Sequence, residues 1–432
     1  MLRKKRNIVL AVCVVLGITA CSDEQVLTLR IANWADHNEA KIVDSVLREF
    51  EQANPGVKVV QESYVNQYRE KILTSFAAGT APDVLLLEAG YVPAFVNRNL
   101  LLDLNPYMER VGFDPQDYFP NVLAIAQRGG GLYAFPKDFT PLVVYYNRKV
   151  LRASGLPDPH PGWTWDDFVD MARRISRTGG QDGELDRYGA FCLRQFYLYQ
   201  PFIWLNGGDV LSPDGMRATG YLTSPETVAT MQWLIDWHKK YHFTAPLEIT
   251  RNPSHRDRNI FYLGRAGFMI SGHWWLPELR KYMQKRNLDI GIIGLPRVQG
   301  KPYVNVMYES GWAVSINSQH RKYAVKLAAH MAGELAQRRT ARRGLAIPAM
   351  KRVAEENAAA DSTGYEQIFL QEVANARLPW GNRIEDFTTI EDLANQIFDR
   401  TIWGNEALET VVTDIAQQID ALLKERASQR RE

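Results

Sequence analysis

Cysteine is scarce: among 432 residues only Cys13, Cys21 and Cys192 carry a thiol. No two of them have the spacing of a structural zinc site, so a paired-cysteine metal cluster is excluded. A Gly-x-Ser-x-Gly elbow and a His-Glu-x-x-His pair are also missing, which removes the readable signatures of an esterase and of a zinc protease. Charge of one sign is not in excess. The 51 lysines and arginines stand against 49 aspartates and glutamates, without the basic footprint of a nucleic-acid binder. Low-complexity tracts are absent, so the chain reads as globular, neither fibrous nor repetitive.

The N-terminus holds the most specific local pattern. Arg3-Lys4-Lys5-Arg6 is a basic region, Ile8 to Ile18 is an apolar run, and small residues precede Cys21. The run is too short to span a bilayer comfortably as a mature helix. Ile18-Thr19-Ala20-Cys21 resembles the lipobox of bacterial lipoproteins, whose cysteine is diacylated and becomes the first residue; an uncleaved anchor is the alternative. Removing the four basic residues of this leader leaves 47 cationic residues against 49 acidic ones. Cys192 would then be the one free thiol, and no intrachain disulfide could form.

Single cores stop growing near roughly 250 to 300 residues, so this length predicts two lobes. Thr28 to Trp34 alternates as a strand, the polar turn Ala35-Asp36-His37-Asn38 can cap a helix through Ile42, Val46 and Phe50, and Val57 to Gln61 is the next strand. That βαβ unit implies parallel strands with a right-handed crossover. A helix over 67–78 and a buried strand Val84 to Leu87 follow. Ligands of open α/β sheets sit outside the carboxyl ends of strands, which puts Trp34, Asp36, Tyr64, Glu88 and Tyr91 on one expected rim.

Gly131 to Val150 joins a glycine-rich turn to the strand-like Leu142 to Tyr146, with Lys137-Asp138 between them. We read it as a crossing from one lobe to the other that leaves Asp138 in the cleft, with Tyr303 to Gly311 as the return. The expected division is a leader over 1–21, a first lobe over 22–136, a second over 137–305, a return segment over 306–340, and a helical C-terminal part of the second lobe over 341–432. Pro225 to Tyr241 reads as a helix with Trp233 and Trp237 on one face, and Thr164 caps another from Trp165 to Ile175.

The order of several short motifs resembles the family 1 extracellular solute-binding proteins of ABC importers, the group that includes maltose-binding protein. It begins with Asn33-Trp34, Asn54-Pro55-Gly56-Val57-Lys58-Val59 and Gly79-Thr80-Ala81-Pro82-Asp83-Val84. It continues through Leu132 to Pro136, Val144 to Leu151, Trp163 to Phe168, Leu205 to Gly208, Gly264 to Met269 and Gly291 to Pro296. The resemblance implies an α/β, two-lobed periplasmic-binding-protein type II fold, each lobe a mixed, mainly parallel sheet flanked by helices and joined by a hinge. It also implies a carbohydrate ligand, permease subunits in the membrane as partners, a monomer, and no catalytic residues. Together with the lipobox, it implies an exported protein, lipid-anchored to the cell membrane and facing the periplasm or extracellular side.

Aromatic faces pack on the apolar faces of sugar rings, while ionised carboxylates accept hydrogen bonds from hydroxyls. The residues expected to form such a slot are Trp34, Tyr64, Tyr91, Trp204, Trp274, Trp275 and Trp312 with Asp36, Glu88 and Asp138. Trp163, Trp165, Trp233 and Trp237 are read as core. No cofactor and no metal are expected. His238 and His242 are four apart but lack a third ligand, and the turn from Gly179 to Asp186 lacks the bidentate glutamate of a calcium loop. Three alternatives stay open: a lipid-anchored glycoside hydrolase using Glu88 and Asp138 as its carboxylate pair, a receptor for a polyamine, a peptide or iron, the last through Tyr145-Tyr146, and a chemosensory or scaffolding lipoprotein.

Overall fold

The structure, a computed structural model, describes residues 26–178, 185–190, 195–245, 260–385 and 387–429. Cys21, Cys192 and the glycine-rich turn at 179–184 lie outside them. The early strands are β1 (Leu27–Asn33), β2 (Val57–Ser63), β3 (Val84–Glu88), β4 (Gln127–Arg128), β5 (Gly131–Leu132), β6 (Phe135–Pro141) and β7 (Val143–Asn147). Those after them are β8 (Arg177–Thr178), β9 (Leu185–Ala190), β10 (Ala266–Ser271), β11 (Ile290–Ile293), β12 (Asn305–Val314), β13 (Ile347–Pro348) and β14 (Ala376–Arg377).

The first βαβ unit forms as its pattern dictates. The Asp36 carboxylate accepts the Glu39 N–H at 2.9 Å, which starts the helix His37–Ala53. Val43, Val46, Leu47 and Phe50 are buried on one face of it. Gly56, at φ 84°, turns the chain into β2, which runs parallel to β1 from Leu27↔Val57 to Asn33↔Ser63.

Two sheets result. The first has the order β13-β6-β12-β3-β1-β2 with β14 beside β12, and the second the order β11-β7-β10-β9-β8. Parallel pairing is confined to β1–β2, β1–β3, β9–β10 and β12–β14, and the remaining pairs of both sheets are antiparallel. The sheets are therefore mixed without the parallel predominance expected, because β12 enters between β3 and β6 antiparallel to both.

Sheet membership also moves the expected lobe boundaries. β6 pairs with β12 as far as Met307↔Pro141, so 137–141 belong to the first sheet and the switch falls at Leu142. The stretch after 341 begins in the first lobe, since β13 pairs with β6 and Ala354 is buried in the first core. It reaches the second core with Trp380 and the helices Phe387–Phe398 and Leu408–Gln429. β7 serves both cores: Val143 and Tyr145 pack toward the first, Val144 and Tyr146 toward the second, as the two-residue period of a strand buried on both faces requires.

The crossings between the sheets meet at Asn305, which is fully buried. Its amide Nδ2 donates to the Leu142 carbonyl at 2.8 Å and to Glu372 Oε2 at 2.7 Å, while its Oδ1 accepts the Leu142 N–H at 3.3 Å. The Asn305 N–H donates to the Asn375 carbonyl at 2.9 Å, just before β14. One residue thus ties Leu142 and Glu372 through its side chain and Asn375 through its backbone, and Tyr303 adds a hydrogen bond from its hydroxyl to Glu372 Oε2 at 2.6 Å. Replacing it leaves buried donors and acceptors unpaired, at about 1 to 3 kcal/mol. Asn305→Ala is expected to lower the thermal unfolding midpoint by several degrees in calorimetry, and an unchanged midpoint would show that the crossings do not depend on it.

Candidate functional site

The sheet places a row of polar residues where the lobes face each other. Ser310 of β12 pairs with Glu88 at the end of β3 on one side and with Asp138 of β6 on the other. These three help to line a cavity of about 1110 Å³, whose opposite wall comes from the turn His273–Trp275 and the helix Leu276–Arg286. On that wall Trp274, Glu278, Lys281 and Lys285 recur at three- and four-residue spacing, so one helical face is presented to the cavity. A third side is built by Pro379, Gly381, Phe387, Thr388 and Glu391. A Cβ on Gly381 would meet the Gly90 Cα at 3.0 Å, so glycine there allows the close approach of these two walls.

Three rings form an open corner. The Tyr197 and Tyr308 centroids lie 6.1 Å apart, with Trp274 at 6.4 Å from the first and 6.3 Å from the second. Tyr308 is fixed by donating from its hydroxyl to the Tyr197 carbonyl at 2.5 Å. Trp274 is 40% exposed, which is unusual for so large an apolar side chain.

Among the described residues, seven acidic ones line the cavity (Asp36, Glu39, Glu88, Asp138, Glu278, Glu309 and Glu391) against three lysines, Lys137, Lys281 and Lys285, and no arginine. Lys137 is committed, bonded to Asp138 and 3.6 Å from Glu39. Asp138 also accepts the Ser310 hydroxyl. Glu309 differs from its neighbours: it is 4% exposed and neither carboxylate oxygen has a hydrogen-bond partner. Burial drives its carboxyl well above the usual range, and Asp138 pushes the same way. Enclosure by the walls also raises Glu88, opposed by Arg69, although its side chain still reaches cavity water. Arg69 itself joins the lobes, donating to Thr388 Oγ1 at 2.7 Å and lying over the Tyr91 ring at 4.9 Å.

Of the residues expected from sequence, Trp34, Asp36, Glu88, Tyr91, Asp138 and Trp274 are brought together around this cavity. Four are not. Trp312 is 1% exposed in the core, on a β12 position between Leu86 and Phe135. Trp204 is buried, donates from Nε1 to Asp209 at 2.9 Å, and is covered by Arg377 at 4.4 Å. Trp275 turns away from Trp274 toward the Tyr262 ring, 5.9 Å distant. Tyr64 donates to Glu62 at 2.8 Å beside Lys71, outside the cavity lining. In each case a strand-end or helix-end position was the sequence argument, and the direction of the side chain overrode it.

Sequence reasoning missed Tyr197, Tyr308, Glu309, Ser310 and Glu391. Glu309 had a legible signal, a lone carboxylate inside the strand run Val306 to Trp312. Glu391 had none, since its helix is amphipathic whichever way it docks. Tyr145, an expected iron contact, is fully buried and donates to the Gly272 carbonyl at 2.9 Å, while Tyr146 donates to Asp158 at 3.1 Å. Neither lines the cavity.

A family model described as bacterial extracellular solute-binding protein matches residues 34–338. The sn-glycerol-3-phosphate-binding periplasmic protein UgpB of Escherichia coli (strain K12) is 25% identical over 290 residues, 64% of this chain and 64% of that protein. The match thus spans less than two thirds of that relative's length. Among solved structures, the sugar-binding protein MalE from Xanthomonas citri superposes with a TM-score of 0.78 at 21% identity, covering 94% of this chain and 99% of that one. UgpB from Mycobacterium tuberculosis in complex with glycerophosphocholine gives 0.79 at 18%, covering 93% and 99%. These likenesses are of fold, the two-lobed type II periplasmic-binding-protein architecture.

The cavity carboxylates make stability depend on pH. Burial, with repulsion from Glu88 and Asp392 and against the pull of Arg69, pushes the Glu391 carboxyl up to about 8. The folded state therefore holds an extra proton between the ordinary value of 4.5 and about 8, and stability falls as pH rises through that window. Glu391→Gln is expected to raise the melting temperature by about 1 to 3 °C near pH 8 and to leave it unchanged near pH 4. A lower midpoint at the higher pH would contradict the buried, repelled carboxylate.

Proposed function

The chain belongs to the bacterial extracellular solute-binding protein family, and from that premise we propose that it is the substrate-binding component of an ABC import system, capturing a mono- or oligosaccharide. The observation that carries the reading is the cavity between the two sheets, with the open ring corner of Trp274, Tyr197 and Tyr308 across from Glu88 and Asp138. Rings of that exposure suit the apolar face of a pyranose, and carboxylates suit its hydroxyls. A ligand touching both walls favours the closed arrangement through its differential affinity, and the closed form is what a membrane permease would receive. The sugar-binding MalE relative and its shared architecture support the same assignment.

A dissociation constant of about 1 μM corresponds to about 8.2 kcal/mol, within reach of a few stacked rings and charged hydrogen bonds. Titration calorimetry against a panel of neutral oligosaccharides tests the reading. Trp274→Ala is expected to weaken binding about tenfold or more at unchanged melting temperature, whereas Trp275→Ala, which alters packing on Tyr262, is expected to change stability more than affinity. Equal losses of affinity in both variants would remove the ring corner from the site.

The hydrolase alternative rests on Glu88 and Asp138, but Asp138 is already engaged by Lys137 and Ser310. A bound oligosaccharide is therefore expected to be returned intact. For the anchor, Cys21 after Ile18-Thr19-Ala20 supports diacylation and attachment to the cell membrane on its outer side. Labelled palmitate is expected to be incorporated into the wild type and not into Cys21→Ser; equal labelling would place the lipid elsewhere.

A further inference from the structure

We propose that Glu366 is a positioning residue for the exposed ring of the cavity, clamping the turn His273–Trp275 and the helix after it so that Trp274 is presented to the ligand. The inference rests on the receptor reading above for what the ring does, though not for how the ring is held. Among the described residues the Trp274 indole N–H makes no hydrogen bond, so its direction depends on the backbone beneath it. That backbone is tied at each step before the ring. Tyr145 donates to the Gly272 carbonyl at 2.9 Å, and the His273 N–H donates to Thr140 Oγ1 at 2.8 Å. A Cβ on Gly272 would meet the Trp274 ring at 2.2 Å, so the indole lies directly against that backbone.

The His273 side chain is fully buried, with its ring centroid 4.8 Å from that of Phe369. Its Nε2 donates to Glu366 Oε2 at 2.9 Å, while Nδ1 has no partner, so Glu366 is the imidazole's only hydrogen-bond partner among the described residues. The other carboxylate oxygen, Oε1, accepts from Arg280 Nη2 at 3.1 Å, on the helix Leu276–Arg286. One carboxylate therefore holds the chain just before Trp274 and the helix just after it. Burial favours the neutral acid, but the bonds and charges of His273 and Arg280 outweigh it and hold the Glu366 carboxyl below its usual range. An ionised carboxylate only accepts, which keeps the His273 proton on Nε2.

The platform is itself fixed. Glu366 lies on the helix Tyr365–Val373, whose Tyr365 hydroxyl donates to the Ile290 carbonyl of β11 and whose Glu372 joins the Asn305 cluster. A buried ion pair adds little net stability over apolar packing of the same shape, so stability alone does not account for this one. Two directed, charge-assisted bonds on either side of the ring set an angle that apolar packing would leave looser.

The test is fluorine NMR on the full chain labelled with fluorotryptophan, with the Trp274 resonance assigned by its loss in Trp274→Phe. No ligand is needed. Glu366→Gln keeps the shape and loses the charge, and Arg280→Gln breaks only the helix arm at a side chain that is 33% exposed; each is expected to shift or split the Trp274 resonance. Asn305→Ala lowers stability elsewhere and is expected to leave that resonance in place. An unmoved resonance in both clamp variants, or an equal shift in Asn305→Ala, would overturn the inference and leave the receptor reading intact. Calorimetry with maltotriose reads the consequence. Glu366→Gln is expected to weaken binding about fivefold, and about twofold at most beside Trp274→Ala, because one effect runs through the other. Equal losses in both backgrounds would also overturn the inference. A shifted resonance in a chain that binds neither maltotriose nor any other neutral oligosaccharide of the panel would uphold the clamp and overturn the receptor reading.

Discussion

The architecture depends on one buried amide. Asn305 holds both polar groups of Leu142, bonds Glu372, and meets Asn375 through its backbone, so the three passages between the sheets are pinned within one hydrogen-bonded unit. Such a joint resists independent sliding of the crossing strands. Its position also decides where the cavity lies. β6 and β12 leave the joint side by side with Pro141 opposite Met307, and the same register brings Asp138 opposite Ser310 at the cavity wall.

From that constraint follows the electrostatic character of the site. Packing two lobes face to face encloses carboxylates that would be ordinary on an open surface, and Glu88, Glu309 and Glu391 all respond with raised affinity for protons. The lobes are also linked by side chains: Arg69 reaches Thr388 at the cavity wall, and Asn97 and Arg98 both reach Glu385.

Much of the fold was legible because it is local. Apolar spacing marked the helix His37–Ala53, Thr164 and Asp167 form the reciprocal cap that starts Trp165–Ile175, and the motif order pointed to the two-lobed family. The buried tryptophans divided less well. Trp163 and Trp237 were read as core and are core, whereas Trp204 and Trp312 were read as cleft residues and are core too. Trp274 and Trp275 show the limit most sharply, because neighbours in one turn face different surroundings and nothing in their sequence separates them.

The sequence by itself determined the first βαβ unit, the leader pattern, and the placing of Glu88 at a strand end and Asp138 near a crossing, which follow from residue types at short spacing, while the order of motifs along the chain pointed to the family. Only the tertiary structure decided that β12 inserts antiparallel between β3 and β6, that the switch falls at Leu142, and that Glu309, Tyr197 and Glu391 share one cavity. Those residues are far apart along the chain and come from a strand and two helices. Their meeting is set by pairing register and by the direction in which each side chain leaves its backbone, and a linear pattern encodes neither until the sheets have paired.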